Sequence, residues 1–372
     1  MNTKKPNFVI ISGSGDTFVW FRLELLSAIQ RKGYKVYALA PEISYKNQVI
    51  LEERGINFLR INLKRKSFNL LNFIQSCFEL NKIFNELKPE IVLGYMHKSI
   101  LASCIVSFFH KNIKIFSMIT GLGHLFERQS LKYTILKKVF GIFFKISFKR
   151  ASKIFFQNPD DKKMFLNLNL VENSKSVCIP GSGVNTEEFN EIALPEKPIF
   201  MTMGRFLESK GLREFATAAQ QMKSIYPEAR FILYGYPDAH EDSISEQEIK
   251  QTWHHEYGVE LMGFADDPKF AISQCSVFVL LSYREGVPRT VLEAMSLGRP
   301  IITTDAPGCR ETVERGLNGF LVPVRDVDNT VIAMKQLIDT NLRLKMGAYS
   351  RQIAIKKFDV NIVNKIIIHN IL

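Results

Sequence analysis

The chain predicts an α/β protein of two similar domains, each a parallel sheet covered by helices on both faces. Three observations carry that expectation. Short apolar runs alternate with stretches of helical period from residue 7 to about residue 180. A break rich in Gly, Pro and acid then interrupts the pattern, from Gly181-Ser182-Gly183 to Pro195-Glu196-Lys197-Pro198. The alternation restarts at Ile199. With 372 residues, 46% hydrophobic and 23% charged, the chain can form two cores of ordinary size.

The elements follow in order. Residues 7–12 read as a strand that ends at Gly13-Ser14-Gly15, followed by a helix from near 18 to 32 that stops at Gly33. Strands are predicted over 35–40, 58–61, 91–95, 113–119, 154–157 and 176–179, with helical stretches between them. After the break, strands are predicted over 199–203, 230–234, 260–262, 277–281, 300–304 and 320–322, with a mostly helical tail from about 329. The boundaries expected are 1–183 for the first domain, 184–355 for the second, and 356–372 for a last helix packing back on the first. Two such domains would face a cleft, and open α/β sheets bind ligands beyond the carboxyl ends of their strands.

Charge divides the same way. Residues 1–185 hold 28 Lys and Arg against 12 Asp and Glu, whereas the remainder holds 21 against 25. A basic first half suits an anionic partner, either nucleic acid or anionic lipid headgroups. Residues 131–156 interleave Lys132, Lys137, Lys138, Lys145, Lys149, Arg150 and Lys153 with phenylalanines and isoleucines. That stretch is too charged to span a bilayer but can lie in a membrane interface, or form a crossover helix with snorkelling lysines. Lys64-Arg65-Lys66-Ser67-Phe68 is a second basic-aromatic spot. The opening residues hold too few apolar positions for a secretory leader. Five scattered cysteines without a CxxC pair read as small buried hydrophobes of a reducing compartment.

The polar motifs fall at strand ends. Glu285 and Glu293 stand eight positions apart around a strand-to-helix junction, with Gly286, Val287 and Pro288 between them and Pro288 suited to a first helical turn. Carboxylates there can accept hydrogen bonds from sugar or ribose hydroxyls, and a helix N-terminus beside them offers N–H groups to phosphate. Gly204-Arg205 to Lys210-Gly211 follows another strand, and its two cations can converge on a diphosphate or simply be solvated. Gly13, Ser14 and Gly15 form a glycine loop without the third glycine of a dinucleotide fingerprint, so a tight turn and a ligand approach both fit. His97 and His124 follow two further strands, where an imidazole can bond a sugar, move a proton, or serve as a cap. Asp326-Val327-Asp328 directly precedes a helix and reads as a cap rather than a metal site.

Taken together, Gly204-Arg205…Lys210-Gly211, the E-x7-E pair Glu285 and Glu293, Asp305-Ala306-Pro307-Gly308-Cys309-Arg310-Glu311 and Gly316-Leu317-Asn318-Gly319-Phe320-Leu321 resemble the retaining glycosyltransferases of family four. The resemblance implies a GT-B fold of two Rossmann-like domains, no metal and no cofactor, and a nucleotide sugar as substrate. By the same resemblance Glu285 would bind the transferred sugar, Glu293 the ribose, and Arg205 and Lys210 the diphosphate. Backbone near Gly286, Val287 and Pro288 would complete those contacts, and Gly204, as a glycine, lets backbone approach a ligand. Members often carry a histidine after the strand that ends here at Thr120, whereas this chain has Thr120-Gly121-Leu122-Gly123, with His124 later, so His97 ranks ahead of His124 on the acceptor side.

His97-Lys98-Ser99 and Gly121-Leu122-Gly123 resemble bacterial enzymes that extend undecaprenyl-diphosphate-linked glycans, N-acetylgalactosaminyltransferases among them. The expectation is a retaining transfer from a UDP-sugar to a polyprenyl-diphosphate-linked glycan, by a cytoplasmic protein peripheral on an anionic inner-membrane surface. A cytosolic enzyme making a soluble glycoside is the alternative. A nucleic-acid-binding protein is a more distant one, since no recognised nucleic-acid motif accompanies the basic half.

Overall fold

The computed structural model describes residues 5–63, 70–121, 131–238 and 242–372, with the backbone alone over 131–140. The chain forms two compact units, Met1–Ser182 with Asn361–Leu372, and Gly183–Val360.

The first unit runs β1 (Asn7–Ile11), α1 (Asp16–Arg31), β2 (Lys35–Ala40), α2 (Tyr45–Glu53), β3 (Asn57–Arg60), α3 (Leu70–Leu87), β4 (Ile91–Tyr95), α4 (His97–Ser107), β5 (Lys114–Ile119), α5 (Leu131–Arg150), β6 (Ala151–Phe156), α6 (Pro159–Asn167) and β7 (Ser176–Cys178). Its seven strands are all parallel, in the order β3-β2-β1-β4-β5-β6-β7. Period-two alternation splits β1 between two cores. Phe8 and Ile10 pack with Phe18, Leu25 and Ile29 of α1, while Val9 and Ile11 pack with Leu80 and Phe84 of α3 and Ile100 of α4. The final helix, Val360–Ile371, adds Val363, Ile367 and Ile371 to the first of these cores. At about 1.5–3 kcal/mol for each such side chain taken from water, that stripe is reason enough for the chain's end to dock there.

The second unit runs β8 (Ile199–Arg205), α7 (Leu212–Ile225), β9 (Arg230–Tyr236), β10 (Val259–Gly263), α8 (Pro268–Ser273), β11 (Val277–Leu280), α9 (Arg289–Ser296), β12 (Ile301–Thr304), β13 (Gly319–Val322), α10 (Val327–Gln336) and α11 (Thr340–Ile353). Its six parallel strands are ordered β10-β9-β8-β11-β12-β13. Residues 356–360 stay with this unit. Phe358 lies in its core, and Val184 exchanges backbone hydrogen bonds with Phe358 and Val360.

Two local expectations shift. Gly204 and Arg205 are the last residues of β8, paired with Gly235 and Tyr236, so the motif starts on the strand rather than after it. Pro288 stands just before α9 as its N-cap, and the helix begins at Arg289. Asp326 does cap α10, its side chain accepting from Asn329 N at 2.9 Å. All five cysteines are free thiols. Cys104, Cys275 and Cys309 are buried, whereas Cys178 is exposed and departs from the expected pattern.

Candidate active site

In each sheet the strand order reverses between two neighbours, β1 and β4 in the first unit and β8 and β11 in the second. The loops beyond their carboxyl ends separate there and leave room for a ligand. Apart from His124, the predicted residues lie at the ends of these strands or on the loops and helices that follow them.

In the second unit, three loops are fastened to one another. Tyr283 N donates to Ser209 O at 2.9 Å, which joins the loop after β11 to the one after β8. Glu285 N donates to Pro307 O at 2.9 Å, which joins it to the loop after β12. Two glycines make the approach possible. Gly211 has φ +67°, and a Cβ there would stand 2.2 Å from Leu281 O. Gly308 has φ +82°, and its Cβ would meet Glu285 O at 2.3 Å.

Held this way, Lys210 Nζ and Glu285 Oε1 form a partly sheltered ion pair. Behind it, Tyr283 Oη donates to Glu214 Oε1 at 2.6 Å, and the Arg325 guanidinium lies 4.7 Å from the tyrosine ring centroid. Burial, then the Glu214 carboxylate, pushes the Tyr283 phenol up to about 12. Tyr283 is therefore a neutral donor at any ordinary pH.

Arg205 does not join that pair. Its Nη1 donates to Asp238 Oδ2 at 2.5 Å, at the end of the neighbouring strand β9. Glu293, in α9, is 7% exposed and accepts from Arg289 Nε at 2.9 Å, while Arg289 Nη1 holds Gly183 O at 2.7 Å. Burial raises the Glu293 carboxyl above its ordinary range, Arg289 pulls it back, and Glu188 adds to the rise. Val287 is buried, and Pro288 accepts at its carbonyl from Val291 N as α9 begins. Asp305 is gripped by Arg310 and Arg315, whose hydrogen bonds and charge lower its carboxyl below the usual range.

Sequence reasoning missed Asp238, Arg289, Tyr283 and Glu214. Asp238 had a readable signal, since it stands two residues after Tyr236, the end of β9, much as Gly204-Arg205 ends β8. The other three are visible only through their partners.

The reversal point of the first unit is built mainly from hydroxyl groups, with the buried Arg22 guanidinium 5.5 Å from the Tyr95 ring centroid. Ser12 Oγ lies 3.0 Å from Thr17 Oγ1, which also bonds Tyr95 Oη and donates to Ser14 O at 2.6 Å. Gly13 and Ser14 form the turn, with Ser14 N donating to Ser12 Oγ at 3.2 Å. Gly15 is occupied by the chain itself: its N donates to Glu42 O, and a Cβ would fall 2.6 Å from Ile43 Cβ. Packing between two loops thus accounts for Gly15 without a ligand.

His97 opens α4 after Met96, which has φ +67°. Its ring packs edge-on against Phe144 at 5.8 Å, and backbone at Gly121 bonds it. Among the described residues its Nε2 is buried without a partner. Burial lowers the His97 pKa from 6.5, so the imidazole is neutral at physiological pH. His124 lies outside the described residues, as does the spot from Lys64 to Phe68. Among the described residues no group of three or more His, Cys, Asp or Glu side chains is placed to hold a metal.

Two charge pairs and a buried carboxylate at one reversal point, and at the other a hydroxyl network with an imidazole whose Nε2 has no partner among the described residues, invite comparison with known proteins. The model for glycosyl transferases group 1 matches residues 197–340, and the model for glycosyl transferase 4-like proteins matches residues 10–158. The chain is a family-four glycosyltransferase.

Among its relatives is the N,N'-diacetylbacillosaminyl-diphospho-undecaprenol α-1,3-N-acetylgalactosaminyltransferase of Campylobacter jejuni, 26% identical over 95% of this chain and 95% of that one. The Escherichia coli UDP-Gal:α-D-GlcNAc-diphosphoundecaprenol α-1,3-galactosyltransferase is 24% identical over 91% of this chain and 92% of its own length. The crystal structure of Anabaena HepE in complex with UDP superposes with a TM-score of 0.79, at 18% identity, covering 98% of this chain and 99% of that one. The likeness confirms the GT-B fold of this transferase.

Proposed function

We propose that this transferase moves a hexose or N-acetylhexosamine from a UDP-sugar to a saccharide carried on a polyprenyl diphosphate, keeping the donor's α configuration. The single observation that carries the reading is the Lys210–Glu285 pair, pinned by three loops at the reversal point of the second sheet. On donor binding Lys210 turns to the diphosphate, and Glu285 is released to accept hydroxyls of the sugar. Arg205 leaves Asp238 for the same phosphates. Such cations offset the charge that develops on a departing nucleoside diphosphate. Glu293 holds the ribose, and backbone at Gly204, Gly286, Val287 and Pro288 completes the pocket. The transfer needs no bound metal or cofactor.

The acceptor is assigned to the first unit, at Gly13, Ser14 and His97. A neutral imidazole with a spare nitrogen suits a hydroxyl-rich ligand. The lipid-linked acceptor is supported by the two relatives, whose names place their substrates on diphospho-undecaprenol. The protein works at the cytoplasmic face of an anionic inner membrane, and no nucleic acid is involved. No helix of the described residues is long and apolar enough to cross a membrane.

The test is transfer by purified protein from a panel of UDP-sugars to undecaprenyl-diphosphate glycans, with the anomeric proton of the product read by NMR. An α-linked product that disappears in Glu285→Ala supports the reading. Transfer only to water-soluble acceptors, or an unaffected Glu285→Ala, overturns it.

A further inference from the structure

Residues 181–198 read in sequence as a break between domains, but most of that stretch is fastened to the second unit by arginines. Arg351 donates to the carbonyls of Thr186 and Phe189, Arg299 to those of Ile192 and Ala193, and Arg343 to that of Glu196. Arg299 and Arg343 are fully buried. Hydrogen bonds from a charged donor are of the stronger class, so the chain from Thr186 onward is held.

The chain passes from the first unit to the second between Ser182 and Gly183, and returns between Val360 and Asn361. Both passages are short. Ile179 lies in a core of the first unit and Val184 in a core of the second, and on the return Phe358 and Val363 lie in the second and the first. On the side of the second unit the two passages are knit together. Val184 N donates to Phe358 O at 2.8 Å, Val360 N to Val184 O at 2.9 Å, and Thr186 Oγ1 to Asp359 Oδ2 at 2.5 Å. Freedom on the outward passage is therefore confined to residues 180–183, where Gly181 and Gly183 have φ of +70° and +75°. A few residues of this kind are enough to make a hinge.

One side chain joins this passage to the nucleotide site. Arg289, at the start of α9, donates from Nη1 to Gly183 O at 2.7 Å and from Nε to Glu293 Oε1 at 2.9 Å. The first bond fixes the plane of the Gly183–Val184 peptide. The second holds the carboxylate assigned to the ribose. A guanidinium is a rigid fork, so both bonds share one orientation, and a shift of either partner is felt by the other. The two side chains are only 18% and 9% exposed, which keeps water from taking over either bond. Burial raises the Glu293 carboxyl and Arg289 draws it back, so the same residue also keeps that acceptor charged.

We propose that Arg289 is a positioning residue that couples occupation of Glu293 by the ribose of a nucleotide to the setting of the Gly183 peptide, where the chain passes between its two units. The proposal rests on the donor reading of the preceding section and adds to it a residue that acts through Glu293. Ribose hydroxyls that bond Glu293 fix the carboxylate, the carboxylate fixes the guanidinium, and the guanidinium holds Gly183 O. By linkage, a passage held in this way favours the bound nucleotide in equal measure. Donor and acceptor are assigned to different units, so the setting of this passage bears on turnover as well as on binding.

The test uses UDP with the full-length protein. It reads hydrogen–deuterium exchange at the amides of Val184 and Val360, beside UDP affinity by calorimetry. In the wild type UDP should slow exchange at both amides by about fivefold or more. Arg289→Lys keeps a cation for Glu293 but not the fork, so UDP should bind within about threefold of the wild type, while the slowing disappears and kcat falls about tenfold. Arg289→Gln has neither charge nor fork, and should lose the slowing and weaken UDP about tenfold. A purely structural arginine would give faster exchange in both variants without UDP and leave the slowing by UDP in place. That result, or a wild type that binds UDP with no slowing at Val184 and Val360, would overturn the coupling and leave the donor reading standing. A wild type that binds no UDP would remove the donor reading, and the coupling with it.

Discussion

The two sheet reversal points of this chain share a topology and differ in chemistry. Beyond β8 and β11 stand Lys210 with Glu285, Arg205 with Asp238, and a buried Glu293 held by Arg289. Beyond β1 and β4 stand Ser12, Thr17 and Tyr95 in one hydroxyl network, with a neutral His97 beside them. The six strands of the second sheet repeat the order of the first six of the first, and only β7 has no counterpart, so the fold alone does not select the ligand. The difference teaches that one topology can carry two kinds of polar surface, paired ionic side chains at one end and hydroxyls beside a buried arginine at the other.

The comparison breaks most clearly at the ion pair. Glu285→Ala and Lys210→Ala should each lower kcat/KM for sugar transfer by about 100-fold or more, since each removes a polar partner of the donor and leaves the other charge uncompensated. His97→Ala should cost much less, about tenfold, mainly in KM for the acceptor. Equal losses at the two ends, measured by steady-state kinetics, would erase the distinction drawn between them.

The glycine loops sharpen it next. Gly211→Ala meets both a left-handed backbone and a carbonyl at 2.2 Å, whereas Gly15→Ala meets only crowding, at ordinary φ. The expected destabilisation is about 3 kcal/mol or more for the first and about 1–3 kcal/mol for the second, read by thermal or urea unfolding. A larger effect at Gly15 would show that the first loop is the more tightly specified.

A smaller effect concerns pH. The folded-state pKa of His97 lies below its ordinary 6.5, so the unfolded chain binds the proton more readily. The stability that neutral His97 contributes is present above that ordinary value and is lost as pH falls below it. His97→Gln should flatten that part of the stability–pH profile in urea unfolding. Glu293 has the opposite sign: its raised pKa means that stability declines as pH climbs through the carboxylate range toward the folded-state value.

The smallest effect is expected at Tyr283→Phe, which removes the donor to Glu214 Oε1 without disturbing the ring under Arg325. A loss of about 1–2 kcal/mol in stability should accompany a modest rise in KM for the donor, with kcat little changed. A fall in kcat alone would instead place Tyr283 nearer the chemistry than its position behind the ion pair suggests.

Much of the architecture was legible because parallel strands buried on both faces must be nearly continuous apolar runs, and runs such as Phe8-Val9-Ile10-Ile11 and Val277-Phe278-Val279-Leu280 are bounded by Gly, Pro and polar residues. The strand edges moved by only a few residues, at Gly204-Arg205 and at the start of β6, where Lys153 satisfies itself on Ser174 O. The Glu285 and Lys210 positions were legible for a similar reason: charged side chains flanked by glycine at strand ends have little structural use there.

What no linear pattern contains is who meets whom. Sequence alone determined two parallel-sheet units, the strand ends that carry polar residues, the asymmetry of charge and the family. Only the tertiary structure decided that Lys210 reaches Glu285 across 75 positions, that Arg205 takes Asp238 instead, and that Gly15 is filled by its neighbouring loop. Periodicity and local turn chemistry act over a few residues and can be read along the chain, whereas pairing between loops depends on the order of strands in a sheet, which a run of apolar residues leaves open.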